Sequence, residues 1–178
     1  MRIVSGSLKG RRFSPPKSFN ARPTTDFAKE NLFNVLNNKI DFTAIKVLDL
    51  FGGTGSISYE FASRGSNEVT CVEQRYSHFR YIKKTVSELD LESSVKVIRG
   101  DAFKYVEKTP EKFDLIFADP PYDLAGAEKL PDLILEYHLL NEGGIFIFEH
   151  SGLVSFESHP NFIENRENGK VIFTFFRP

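Results

Sequence analysis

An apolar run, Val47-Leu48 and then Leu50-Phe51, breaks at Gly52-Gly53-Thr54-Gly55, and a helical pattern opens at Ser56. So short and apolar a run reads as a strand buried on both faces, as in a parallel sheet. Strand, glycine turn and helix start, in that order, build a ligand site at the carboxyl end of the first strand of an α/β sheet. Gly53 and Gly55 lack a Cβ, so the backbone there can turn tightly and approach a ligand closely. A second buried run, Phe113 to Ala118, ends in Asp119-Pro120-Pro121-Tyr122. Two strands thus bring a glycine loop and a polar-aromatic tetrapeptide to one sheet edge, and both are expected to open onto one crevice.

The remainder fits that frame. Strands are expected at 46–51, 69–73, 95–98, 113–118 and 144–149, with helices at 56–64, 76–89, about 102–107 and 126–137 between them. Residues 162–164 and 171–176, around Asn168-Gly169, predict a closing hairpin. The expected fold class is α/β, a doubly wound and mostly parallel seven-stranded sheet with an antiparallel last strand. Ahead of it, Arg2-Ile3-Val4-Ser5, a turn at 6–10 and Arg11-Arg12-Phe13 predict a β-hairpin extension, which Ser14-Pro15-Pro16 ends. Its polar and basic flanks imply that it projects from the main sheet. Arg22-Pro23-Thr24-Thr25-Asp26 reads as a helix start with Thr25 as N-cap, followed by an apolar stripe of Leu32, Phe33, Leu36 and Ile40. The expected division is a basic extension over 1–24 and the main domain over 25–178.

At 178 residues the chain suits one such domain, and its 18 Phe residues supply core. No segment approaches the roughly 18 apolar residues of a membrane span, and no signal-peptide pattern opens the chain, so a soluble cytoplasmic protein is expected. Cys71, the one cysteine, sits in an apolar strand and reads as a buried structural thiol. The four histidines are scattered without metal-ligand spacing, so no metal is expected. Of 23 Lys and Arg residues, six lie in residues 1–22, where there is no Asp or Glu; the other 17 accompany 24 acidic residues. A basic arm on an acidic body suits a polyanionic partner, although a solvated basic terminus gives the same pattern.

The glycine loop departs from the dinucleotide fingerprint. Its third glycine would stand at Ser58, no lysine follows as in a P-loop, and Asp49 precedes the turn. A carboxylate there would repel pyrophosphate and favour a cationic ligand. S-adenosylmethionine, with its sulfonium and α-amino group, is such a ligand. Asp49 is assigned to its methionine end, with Phe51, Gly52, Gly53 and Gly55 forming the turn. Glu73, with Gln74 beside it, ends the second strand and suits the ribose hydroxyls. Asp101 suits the adenine amino group, with Ala102 and Phe103 beside the ring, and equally suits an N-cap.

Asp119-Pro120-Pro121-Tyr122 points to the acceptor of the methyl group. An exocyclic amino nitrogen on a base is a poor nucleophile, because its lone pair is delocalised into the ring. It must be held in line while its hydrogens are accepted. The Asp119 carboxylate and the Pro120 carbonyl can accept two N–H groups. Pro120 and Pro121 remove two backbone donors, and Tyr122 offers a face for a splayed base.

The chain resembles the RsmD-type 16S rRNA (guanine-N2)-methyltransferases. The likeness rests on Arg2-Ile3-Val4-Ser5-Gly6 with Lys9-Gly10-Arg11, and on Arg22-Pro23-Thr24-Thr25-Asp26 leading to Glu30-Asn31-Leu32-Phe33-Asn34. Asp49-Leu50-Phe51-Gly52-Gly53-Thr54-Gly55 and Asp119-Pro120-Pro121-Tyr122 complete it, in order and over nearly the whole length. The resemblance implies a Rossmann-like class I methyltransferase and transfer from S-adenosylmethionine, leaving S-adenosylhomocysteine, to N2 of one guanine. The guanine would lie in 16S rRNA of the small ribosomal subunit, met by a monomer with no metal and no membrane. Arg2, Lys9, Arg11, Arg12, Arg22 and Thr24 would contact the RNA. Two rivals remain open here: a DNA adenine-N6 or cytosine-N4 methyltransferase sharing the tetrapeptide's logic, and a non-catalytic RNA-binding assembly factor on the same fold. A nicotinamide dehydrogenase is more distant, for the missing third glycine.

Overall fold

A computed structural model of the chain describes residues 1–16, 19 and 26–178. Seven strands, β1 (Lys46–Leu50), β2 (Glu68–Glu73), β3 (Val95–Arg99), β4 (Phe113–Ala118), β5 (Leu140–His150), β6 (Phe162–Asn168) and β7 (Val171–Phe176), form one sheet in the order β3-β2-β1-β4-β5-β7-β6. The pairs from β3 through β5 are parallel, whereas β7 runs antiparallel to both β5 and β6. The helices are α1 (Asp26–Asn37), α2 (Ser56–Ser63), α3 (Tyr76–Glu88), α4 (Ala102–Lys108) and α5 (Leu130–Glu136).

Alternation along each strand divides the core in two. Val47, Cys71, Leu115, Phe117, Ile147 and Phe173 pack on one face with Leu32 and Phe33 of α1, Tyr59 and Phe61 of α2 and Ile82 of α3. Leu48, Leu50, Ile116, Ala118, Phe146 and Phe148 pack on the other with Val106 of α4 and Ile134 of α5. Both faces are therefore covered, which is why the strands read as unbroken apolar runs. The chain leaves β1 for β2 and β3 on one side and returns to β4 on the other. A crevice at the carboxyl ends of β1 and β4 follows from that reversal.

Three expectations change. The fifth strand begins at Leu140 rather than Gly144: Leu140 pairs with Phe113, then a bulge absorbs Asn141 to Gly143, with Gly143 at φ +73°. The helix expected over 126–137 divides into a 3-10 turn (Ala127–Lys129) and α5, with Pro131 in the opening turn of α5, where a missing N–H costs nothing. The N-terminal hairpin adds no strand to the sheet. It does not project either: Arg2 and Arg12 form an isolated bridge, and Ile3 and Phe13 are buried in the first core. The reason is polar as well as apolar, since Ser7 N donates to Ser63 O at 2.7 Å, while Val4 N and Ser5 N donate to Glu60 at 2.8 and 3.0 Å. The Thr25 cap lies outside the described residues, and α1 starts at Asp26.

Candidate active site

A crevice of about 990 Å³ opens at the carboxyl ends of the central strands. Residues 51–54 line it together with Asp119, Pro120, Pro121 and Tyr122, so the two loops do share one opening. The sheet requires this: Leu50 and Ala118 are partners on adjacent strands, and each loop starts at the next residue. Asp49, Glu73, Gln74 and Ala102 also line it.

The glycine turn is built by close contacts. Phe51 and Gly53 adopt positive φ, +64° and +57°, and Glu73 Oε2 accepts from Gly53 N at 2.8 Å. The other Glu73 oxygen accepts from Arg75 N at 2.7 Å, so one carboxylate fixes both the loop and the start of α3. Gly55 stands at φ +80°, outside the lining. A Cβ there would meet the Tyr59 hydroxyl at 2.2 Å, so the helix behind it requires a glycine at this position.

Asp49 is buried, and its Oδ2 accepts from Ser58 Oγ at 2.5 Å. Burial pushes its carboxyl up to about 7; the Ser58 hydrogen bonds oppose that rise and the nearby Glu73 charge adds to it. Ser58, which in sequence marks only an absent glycine, is thus the partner that steadies Asp49. Burial also pushes the Cys71 thiol up, as expected of a structural cysteine.

Asp101 caps α4, accepting from Lys104 N at 3.0 Å and from Gln74 Nε2 at 3.3 Å, and does not line the crevice. Phe103 is also off the lining, edge-on to Phe51 with centroids 6.3 Å apart. Asp119 is half-buried, Pro120 buried and Tyr122 48% exposed at the mouth of the crevice. Arg2, Lys9, Arg11 and Arg12 are exposed on the hairpin, away from the lining. Arg2 pairs with Asp26 at 3.8 Å, and Arg11 donates to Glu88 O at 3.2 Å. Arg22 and Thr24 lie outside the described residues.

Sequence reasoning missed several lining residues. His78 reads as one scattered histidine, yet it is buried at the crevice, stacked on Phe19 at 4.0 Å, with its pKa lowered chiefly by burial. Glu149 lines the opposite wall, as do Asn168, Lys170 and Val171 of the β6–β7 turn. Period-2 alternation from Ile145 and Ile147 would have put Glu149 on the face that carries Asp49 and Glu73. No sequence signal brings the β6–β7 turn to the site, because the antiparallel pairing of β5 with β7 does so. Among the described residues, no group of His, Cys, Asp and Glu could hold a metal ion, and no helix is long and apolar enough to cross a membrane.

Comparison with known proteins agrees with this architecture. The profile of the family Conserved hypothetical protein 95 matches residues 1–177. YlbH of Bacillus subtilis, named as a candidate rRNA methyltransferase, is 35% identical over 153 residues, covering 84% of this chain and 82% of YlbH. The ribosomal RNA small subunit methyltransferase D of Buchnera aphidicola subsp. Baizongia pistaciae is 30% identical over 162 residues, covering 90% of this chain and 82% of that protein. Among solved structures, a hypothetical protein of Thermus thermophilus superposes with a TM-score of 0.87 at 25% identity, covering 100% of this chain and 99% of that one.

Proposed function

The chain belongs to the family Conserved hypothetical protein 95, the RsmD family, and we propose that it transfers a methyl group from S-adenosylmethionine to the N2 amino group of one guanine in small-subunit rRNA. That it methylates rRNA follows from the family and its named relatives; the base, the atom and the subunit are the proposal. The observation that carries it is the single crevice lined by the glycine turn and the 119–122 tetrapeptide on neighbouring strand ends.

The donor set suits the cofactor. A buried carboxyl lifted to about 7 by burial is relieved by a cation beside it. S-adenosylmethionine supplies an electrophilic methyl group on a sulfonium, and its ammonium and sulfonium are such cations. Glu73 already accepts two backbone N–H groups, which leaves one lone pair on each oxygen for ribose hydroxyls. Gly100 and Ala102 would flank the adenine, with Asp101 held at the rim by its capping bonds. On the acceptor side, the Asp119 carboxylate and the Pro120 carbonyl accept the two N2 hydrogens, turning the nitrogen lone pair toward the glycine-loop side. Tyr122 stacks the base, an interaction worth roughly 1–3 kcal/mol. The methylated nitrogen is acidic and loses its proton to Asp119 or to water.

Two results are expected along the way. Because ionised Asp49 is the form that attracts a cation, cofactor affinity rises with pH through about 7 and levels off above it. Below that pH it falls by about tenfold per pH unit, with proton uptake by Asp49 on the free enzyme. Calorimetry across this range checks it, and Asp49→Asn should bind weakly with a flat profile. Replacing Lys9, Arg11 and Arg12 together by Ala weakens binding to RNA, with kcat at saturation unchanged. The salt slope falls by about 0.7–0.9 for each phosphate that the hairpin no longer neutralises. An unaltered slope would remove the hairpin from the RNA interface.

The deciding experiment is tritiated methyl transfer to small subunits from a strain lacking this gene, beside free rRNA and duplex DNA, with primer extension to map the product. A labelled guanine in the subunit is expected in the cytoplasmic setting where ribosomes assemble. Label on DNA alone, or on no substrate, would overturn the proposal.

A further inference from the structure

Glu149 stands at the end of β5, 3% exposed, and lines the same crevice as Asp119. Phe117 and Ala118 of β4 partner Ile147 and Phe148 of β5, so Asp119 and Glu149 follow as the next residues at neighbouring strand ends. The ladder fixes Glu149 from its other side as well, through Phe173 of β7. The next residue is anchored too: His150 contacts Thr174 Oγ1 through Nε2 at 2.7 Å and Ser151 O through Nδ1 at 2.9 Å. β5 lies beyond β4 from β1, which puts Glu149 on the acceptor side of the crevice, away from the glycine turn.

We propose that Glu149 reads the identity of the base: its carboxylate accepts the N1–H of a guanine whose N2 amino group is held by Asp119 and the Pro120 carbonyl. The inference rests on the guanine-N2 reading above. In guanine, the amino group and N1 both donate along one edge, and half-buried Asp119 with buried Glu149 beside it offers acceptors to match them. In adenine and cytosine, the ring nitrogen on the pairing edge beside the amino group is an acceptor, which a buried carboxylate repels. Glu149 therefore selects guanine over the other amino-bearing bases, because only guanine brings a donor to this carboxylate.

The test uses small subunits reconstituted with rRNA carrying either guanine or 2-aminopurine at the methylated position. 2-Aminopurine keeps the N2 amino group but has an unprotonated N1. The wild-type enzyme should favour guanine by about ten- to hundredfold in kcat/KM, the discrimination typical of one well-made base contact. Glu149→Gln, whose amide can donate to an unprotonated N1 as well as accept from a protonated one, should abolish most of the preference by raising kcat/KM on 2-aminopurine, while binding S-adenosylmethionine with wild-type affinity by calorimetry. A folding defect cannot produce that gain on 2-aminopurine. A variant that keeps the guanine preference would overturn the inference alone. So would one that binds the cofactor normally yet methylates neither base. A wild-type enzyme that methylates no guanine would sink the reaction itself, and this reading of Glu149 with it.

Discussion

Asp119→Ala slows methyl transfer by about 10²–10⁴-fold in single-turnover experiments, while calorimetry finds S-adenosylmethionine binding unchanged. The effect belongs on the chemical step because the amino nitrogen must turn tetrahedral, and that geometry forms only when its hydrogens have acceptors. Removing the carboxylate leaves the Pro120 carbonyl as one acceptor for two hydrogens, so the lone pair stays in conjugation with the ring. The cofactor side does not depend on Asp119. Asp49 is held by Ser58 of α2, and Glu73 of β2 by Gly53 of the glycine turn, and neither of these bonds involves Asp119. Asp119→Asn keeps one acceptor oxygen and should retain activity between wild type and Ala, which a requirement for negative charge alone would not allow. Undiminished turnover in the Ala variant would remove Asp119 from the reaction, and a parallel loss of cofactor affinity would move it to the other side of the crevice.

The parts of this site that are legible in the sequence are those whose signal is local. A strand followed by Gly52-Gly53-Thr54-Gly55, and a strand followed by Asp119-Pro120-Pro121-Tyr122, carry their geometry within a few residues, and the parallel partnership of Leu50 with Ala118 then brings them together. What is not legible depends on contacts between distant segments. Glu149 reaches the crevice because β5 pairs with β4, and the 168–171 turn because β7 inserts between β5 and β6. His78 reaches it because α3 packs over β2 and β3, with Phe19 laid on its ring. Gly55 reads in sequence as a ligand contact, yet its neighbour is Tyr59, one helical turn on, whose ring fills the space a Cβ would need. The sequence pattern identifies where a side chain is missing; it does not say what occupies the space.

The same limit hides the most consequential charges in the molecule. Lys29 and Glu60 each look like ordinary helix-surface residues, yet the side chains of both are fully buried, with Nζ 3.7 Å from Oε2. Lys29 also donates to Arg2 O at 2.6 Å and Ser56 Oγ at 3.0 Å. Glu60 accepts from Val4 N, Ser5 N and the Arg64 guanidinium, so one carboxylate joins the hairpin, α1 and α2. Burial lowers the Lys29 pKa, and the Glu60 and Asp26 charges oppose that shift. Glu60→Ala leaves a buried cation and two backbone N–H groups without this acceptor, and should cost about 3–5 kcal/mol. At about 2–4 °C per kcal/mol for a chain of this size, Tm falls by roughly 10 °C or more. Lys29→Met added to Glu60→Leu should recover much of that loss, because it is an unpaired charge that is expensive, not the absence of the pair. Hydrogen exchange at Ser7, whose N–H donates to Ser63 O, should rise in both variants as the hairpin loosens, and RNA affinity should fall with it while cofactor binding holds. A Glu60→Ala protein that melts within about 2 °C of wild type would contradict the account. It would mean that the basic arm is held by Ile3, Phe13 and its bonds to Ser63 without need of Glu60.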